Sequence, residues 1–227
     1  NRYMFGGQGR VPLVARMPIG HWSSSAAQHS QSLEAWFAHM PGLVVVCPGN
    51  AQDNFSLLTE ALNCGDPVIY MEHKELWSDT GDIDESLVVP LGKAATLRAG
   101  SDLTVVSWSK LAQTAVQAAD ELAAQGISAE VIDLRTLWPW DRDAVLNSAA
   151  RTGRLLVVHE AIQAAGFGAE VAATAAEQLG CRIARLGAPR IPVGYAPILE
   201  AQSRISPAMI GEAARRLLGD MPSGATR

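Results

Sequence analysis

Short continuous apolar runs alternate along the chain with longer segments of helical periodicity. Over residues 33–40 the apolar positions follow the i, i+3, i+4, i+7 spacing of an amphipathic helix, namely Leu33, Trp36, Phe37 and Met40. The pattern predicts strands at residues 11–16, 43–47 and 68–71, and helices at 33–40 and 55–62. This βαβαβ order is typical of a parallel sheet with helical crossovers.

The same alternation resumes in the second part of the chain. It predicts strands at residues 103–106, 129–134, 155–158 and 182–186, and helices at 111–124, 141–150, 169–179 and 208–218. The strand runs are continuous rather than alternating, which indicates that helices cover both faces of the sheet. Residues 77–101 are polar and too long for a tight connection. The sequence therefore predicts two α/β domains, at 1–85 and 102–219, with a linker at 86–101 and a flexible tail at 220–227.

Composition narrows the classes of function. The 227 residues carry 18 Lys and Arg against 23 Asp and Glu, a formal charge of −5, which disfavours nucleic-acid binding. The apolar runs are too short to cross a bilayer, and no targeting segment is visible. Three cysteines without a CxxC pair favour a reducing compartment, so we expect a cytoplasmic protein.

One histidine occupies a position where ligands bind in such folds. His29 follows the first predicted strand and precedes the first predicted helix, and loops at the carboxyl ends of parallel strands form the usual crevice. There we expect an exposed ring at a helix N-terminus, whose dipole favours the neutral imidazole that exchanges protons near neutral pH. From position alone, a ring that caps the turn is the favoured interpretation.

Other motifs carry weaker signals. Residues 166–170, GFGAE, resemble the opening of a dinucleotide fingerprint, but Val171 stands where its third glycine should fall, so glycines that turn the chain into a helix are the better interpretation. The remaining histidines show no HExxH or i, i+4 pairing, which disfavours zinc. No GxSxG and no GxxxxGK[ST] motif occurs, which weighs against serine hydrolase and P-loop chemistry.

Several motifs, in order, resemble the beta subunit of the thiamine-dependent 2-oxoacid dehydrogenases, the family of pyruvate, branched-chain 2-oxoacid and acetoin dehydrogenases. They are AQHSQS at 27–32, WFAHMPGL at 36–43, DLRTLWPWD at 133–141, TGRLL at 152–156, HEA at 159–161 and GFGAE at 166–170. The resemblance implies the later part of a three-layer pyrimidine-binding αβα domain, followed by a transketolase-type C-terminal αβα domain with a mostly parallel sheet.

The resemblance also implies a cofactor and partners. In the family, thiamine diphosphate and magnesium are shared with an alpha subunit that carries the diphosphate motif, and a glutamate upstream of the point matching Asn1 contacts the aminopyrimidine ring. We therefore expect this chain to be inactive alone. The implied partners are the alpha subunit, a second beta subunit and the lipoyl-bearing acyltransferase. His29 matches the family histidine that projects into the shared site, which implies a catalytic role.

A structural potassium ion is a further implication of the resemblance. Some relatives bind it through backbone carbonyls at positions matching Leu13, Ala61, Leu62, Cys64 and Asp66. Carbonyl ligation tolerates a change of side chain, but an ordinary helix C-terminus explains these residues equally well.

Two other functions stay open. The chain could be an assembly module that docks the acyltransferase's basic binding domain, which the acidic balance would suit. It could also belong to another transketolase-like enzyme, which would require one long chain with its own diphosphate motif. The sequence does not choose between 2-oxoacid and acetoin substrates.

Overall fold

The computed structural model describes residues 1–219, and the tail predicted at 220–227 lies outside them. The elements, in chain order, are β1 Val14–Ile19, α1 Glu34–Ala38, β2 Val44–Val46, α2 Ala51–Asn63, β3 Val68–His73, β4 Ala95–Arg98, β5 Leu103–Ser107, α3 Lys110–Ala123, β6 Ala129–Asp133, β7 Thr136–Trp138, α4 Arg142–Thr152, β8 Arg154–Ile162, α5 Gly168–Gln178, β9 Arg182–Ala188, α6 Pro197–Glu200 and α7 Pro207–Leu218. A single 3-10 turn, Lys74–Leu76, follows β3. In this part of the chain no helix is long and apolar enough to cross a membrane.

The first sheet has the order β1-β3-β2-β7. Its β1–β3 and β3–β2 pairs are parallel, which confirms the predicted βαβαβ unit. The fourth strand, β7, comes from the second part of the chain and pairs antiparallel with β2. Sequence patterning missed it because three residues that follow Arg135 carry no periodicity of their own.

The second sheet has the order β4-β6-β5-β8-β9. Its four later strands are parallel, as predicted, and β4 pairs antiparallel with β6 at one edge. The linker predicted at 86–101 therefore contains a strand, β4. The sequence pattern did not predict it because only two of its four residues, Ala95 and Leu97, are apolar. The domain boundaries themselves stay a prediction.

The prediction that every strand is covered on both faces holds only at the centre of the sheets. All residues of β2, β5 and β6 are buried. The edge strands β1, β4 and β9 each keep partly exposed residues, because an edge strand has a neighbour on one side only.

Helix ends follow local chemistry. The Asn50 side chain accepts the Asp53 backbone N–H and begins α2. The α4 helix ends at Gly153 with φ 69°, a conformation that favours glycine. The parallel pairing of β1 with β3, in which Ile19 lies opposite His73, places the loops after both strands together at the carboxyl edge of the first sheet.

Candidate functional site

His29 lies in the loop between β1 and α1, and its side chain is exposed. The expected place at a helix N-terminus is wrong, because α1 begins only at Glu34 and is a short helix of 5 residues. The helix dipole acts only within the first turn, and His29 lies outside the first turn of α1. An exposed ring at the carboxyl edge of a parallel sheet is nevertheless accessible to a ligand.

The main chain at His29 is held by Lys74, the first residue of the 3-10 turn after β3. The Lys74 ammonium donates to the His29 carbonyl at 2.6 Å and to the Gly20 carbonyl at 2.6 Å. Burial lowers the pKa of Lys74, while the nearby Glu160 and Glu75 carboxylates oppose that change. One cation therefore joins the start of the loop to its catalytic candidate.

Glu160, from β8, contacts two histidines of the same region through its carboxylate. Its Oε1 accepts the His21 backbone N–H at 2.7 Å and lies 3.0 Å from His21 Nδ1. The Glu75 N–H donates to His73 Nδ1 at 3.1 Å, so the His73 proton is on Nε2, which donates to Glu160 Oε1 at 3.0 Å. Burial would raise the pKa of Glu160, but these two rings outweigh it and hold the pKa well below its usual range.

The segment at and after α6 adds further contacts to this loop. The Glu200 carboxylate accepts the Ser24 N–H at 3.1 Å. Arg204 joins Glu200, at 3.0 Å, to Glu75, at 2.6 Å. Ser203 Oγ lies 2.9 Å from His21 Nε2. Side chains of the second part of the chain thus fix both loops of the first sheet.

Two exposed tryptophans lie near the carboxyl edge of the first sheet, Trp22 in the loop that carries His29 and Trp77 at the end of the 3-10 turn after β3. Trp22 and Trp77 pack edge to face with ring centroids 5.9 Å apart. They are 51% and 56% exposed. Large aromatic rings at the rim of a loop are typical of protein–protein contact surfaces.

The glycines of the GFGAE segment pack against a buried histidine. A Cβ at Gly166, Gly168 or Gly187 would lie 2.5, 2.6 or 2.8 Å from a ring carbon of His159. The His159 ring stacks on Trp108 at 5.2 Å and donates from Nδ1 to the Ala161 carbonyl at 3.0 Å. Burial lowers the pKa of His159 to about 4, so the ring is neutral at pH 7. These glycines therefore provide close packing, which agrees with the structural interpretation and not with a dinucleotide site.

The residues predicted to bind potassium lie around the end of α2. The Ala61 and Asp66 carbonyl oxygens lie 3.4 and 3.7 Å from the Cys64 thiol sulphur, within reach of its S–H. The Leu13 carbonyl accepts the Val68 N–H at 2.8 Å, and Leu62 lies in α2. Arg2 pairs with the Asp66 carboxylate at 2.9 Å. The potassium site stays a prediction.

Sequence reasoning missed Lys74, Glu160, His21 and His73 as parts of one cluster. A signal existed for three of them, since His21 follows β1 closely, His73 ends β3 and Lys74 comes next. The carboxyl ends of neighbouring parallel strands meet at one edge of a sheet. Glu160 carried no such signal, because its partner His21 is 139 positions away.

Two family models match the chain in succession. Residues 1–79 match the transketolase pyrimidine binding domain, and residues 92–210 match the transketolase C-terminal domain. The structure is similar to a split gene transketolase with a TM-score of 0.76 at 22% identity, over 91% of this chain and 65% of that one. At this identity the likeness concerns the fold alone.

Curated relatives are more similar in sequence. The beta subunit of the acetoin:2,6-dichlorophenolindophenol oxidoreductase of Cupriavidus necator is 41% identical over 96% of this chain and 66% of its own length. The 2-oxoisovalerate dehydrogenase subunit beta of Bacillus subtilis is 38% identical over 95% and 68%. The mitochondrial pyruvate dehydrogenase E1 component subunit beta of Dictyostelium discoideum is 38% identical over 95% and 63%. The chain thus spans about two thirds of the length of these relatives.

Proposed function

The chain belongs to the transketolase-like family of 2-oxoacid and acetoin dehydrogenase beta subunits, and from this premise we propose that it is the beta side of a decarboxylating enzyme component. In this proposal it forms a thiamine diphosphate site with an alpha subunit, and the acyl group passes to a lipoyl-bearing acyltransferase. The observation that carries the proposal is His29, exposed within the family's AQHSQS segment and held by its main chain at the edge of the parallel sheet.

The resemblance to the family implies that most contacts to the cofactor come from outside this chain. We propose that the alpha subunit holds magnesium and the diphosphate. We propose further that the aminopyrimidine contact comes from the part of the relatives' length that this chain does not span. Thiamine diphosphate supplies the electron sink for loss of carbon dioxide from a 2-oxoacid.

His29 supplies proton chemistry in this proposal. A neutral imidazole has one N–H donor and one acceptor nitrogen, so it can donate to a substrate oxygen or take a proton from it near neutral pH. The Lys74 ammonium binds the His29 carbonyl, so this contact occupies neither ring nitrogen. Such a positioned acid–base group is typically worth about 10²–10⁴ in rate.

The alpha subunit is the partner that best fits the surface around His29. Trp22 and Trp77 expose about half of their area beside the loop. A partner that covers them would bury apolar surface in the same loop that carries His29. The acyltransferase is the second partner proposed, and the net charge of −5 suits a basic binding domain.

Reconstitution tests this function. The chain, extended by the part of the relatives' length that it does not span, is coexpressed with the alpha subunit and supplied with thiamine diphosphate and magnesium. We expect dichlorophenolindophenol reduction that depends on the cofactor with acetoin, pyruvate or 2-oxoisovalerate. Absence of turnover with all three, in an assembled complex that still binds the acyltransferase, would replace this function by that of an assembly module.

A further inference from the structure

Lys74 bridges two separated points of the loop that carries His29. Its ammonium lies 2.6 Å from the Gly20 carbonyl, where the chain leaves β1, and 2.6 Å from the His29 carbonyl. Hydrogen bonds from a charged donor are roughly twice as strong as neutral ones. Between these two points the loop has no helix or strand to define its shape.

The residue before Lys74, His73, is fixed by a side chain from the second sheet. His73 Nε2 donates to the buried Glu160 carboxylate. Gly20, at φ +85°, approaches the same ring so closely that a Cβ there would lie 2.1 Å from His73 Nε2. The approach requires glycine for space and for its positive φ. The Gly20 carbonyl and the start of the 3-10 turn are therefore held in one arrangement.

The residue after Lys74 is fixed as well. The Glu75 carboxylate pairs with Arg204 at 2.6 Å, and the Glu75 N–H donates to His73 Nδ1. Lys74 thus stands between two neighbours that side chains from the second part of the chain immobilise. A donor preorganised in this way loses little entropy when it holds a loop, and small displacements of a reacting group cost large factors in rate.

We propose that Lys74 is the positioning residue for His29, holding the backbone at that residue so that the imidazole points at the substrate. This role rests on the proposed function, since Lys74 sets the orientation of the His29 ring and the ring itself performs the proton transfer. Lys74 itself touches carbonyl oxygens of its own chain and takes no part in proton transfer.

The kinetic test uses the reconstituted complex and four variants. Lys74→Met removes the donors and keeps most of the length, Lys74→Arg keeps a charged donor, His29→Ala removes the ring, and the double variant combines the first and third. Lys93→Met is the matched control, because the Lys93 side chain is 61% exposed and its ion pair within residues 1–219 is with Asp141. Turnover number, KM and thiamine diphosphate affinity are measured for each.

We expect Lys74→Met to lower the turnover number about 10- to 100-fold with KM and cofactor affinity near wild type. Lys74→Arg should recover part of the loss, and Lys93→Met should have none. In the His29→Ala background, Lys74→Met should cause no further loss of turnover, because Lys74 acts only by positioning the imidazole that this variant lacks. An equal fold-loss in both backgrounds, or full turnover in Lys74→Met, would overturn the inference.

A second readout does not depend on activity. In the complex, amide hydrogen exchange over residues 21–30 should accelerate in Lys74→Met and stay unchanged in Lys93→Met. Unchanged exchange in Lys74→Met, with His29→Ala still inactive, would refute the role of Lys74 alone. Wild-type turnover in His29→Ala would instead refute the proposed function, together with the aim assigned to Lys74.

Discussion

A buried carboxyl group at the end of β6 should make the stability of this protein fall as pH rises. Asp133 has no solvent exposure, and its Oδ1 accepts the Arg135 backbone N–H at 2.9 Å. Its Oδ2 has no hydrogen-bond partner among residues 1–219. Burial raises the pKa of Asp133 from 3.8 to about 7, and the nearby Asp53 carboxylate adds to this shift.

The sign and size follow from linkage. The pKa of Asp133 is higher in the folded than in the unfolded chain, so the folded chain keeps the proton up to a higher pH. The free energy of unfolding therefore falls as pH rises from 3.8 through 7. The full difference corresponds to about 4 kcal/mol in the free energy of unfolding. About 2 to 3 kcal/mol of it should develop between pH 5 and pH 8, since the unfolded group is already ionised at pH 5.

The substitution Asp133→Asn isolates this effect, because an amide oxygen can still accept the Arg135 N–H while the charge is gone. The free energy of unfolding is measured in urea at pH 5 and pH 8 by tryptophan fluorescence and by circular dichroism. Relative to wild type, the variant should gain about 2 to 3 kcal/mol on going from pH 5 to pH 8. Asp143→Asn, at an exposed site in α4, serves as the control and should show no such change. A difference that is the same at both pH values for Asp133→Asn would refute the reasoning.

Two further substitutions test the packing and charge of the buried histidines. Gly168→Ala should destabilise the fold by about 1–3 kcal/mol, since the new methyl group would overlap the His159 ring, whereas Gly180→Ala, with nothing within 4 Å, should be nearly neutral in the same urea titration. Equal effects of the two would contradict the packing interpretation. Glu160→Gln should destabilise the protein at pH 7. The deficit should shrink as pH falls below about 4.5, because the unfolded wild-type chain then binds a proton that the folded carboxylate, with its lower pKa, does not. An acid titration with a constant deficit would show that the Glu160 charge contributes nothing.

Most of the fold could be predicted from hydrophobic patterning. The runs that became β2, β5, β6 and β8 are continuous and buried, so their signal is strong. The β4 and β7 strands were missed because short strands acquire their conformation from a partner strand distant in sequence.

The site divides in the same way. His29 could be selected because it falls in a recognisable motif in a loop at the carboxyl edge of the sheet. The cluster of Glu160, His21 and His73 could not, because a pattern along the chain does not say which buried side chains meet across 139 positions or 87 positions. The cytoplasmic location and the potassium ion stay predictions.

The catalytic role of His29 is tested most directly by measuring turnover and thiamine diphosphate affinity on the same preparation of the reconstituted complex. The proteins compared are wild type, His29→Ala and the exposed control His39→Ala. We expect His29→Ala to lose about 10²–10⁴ in turnover with cofactor affinity and folding unchanged, and His39→Ala to match wild type. A His29→Ala complex with wild-type turnover, or one that fails only because it no longer binds the cofactor, would contradict it.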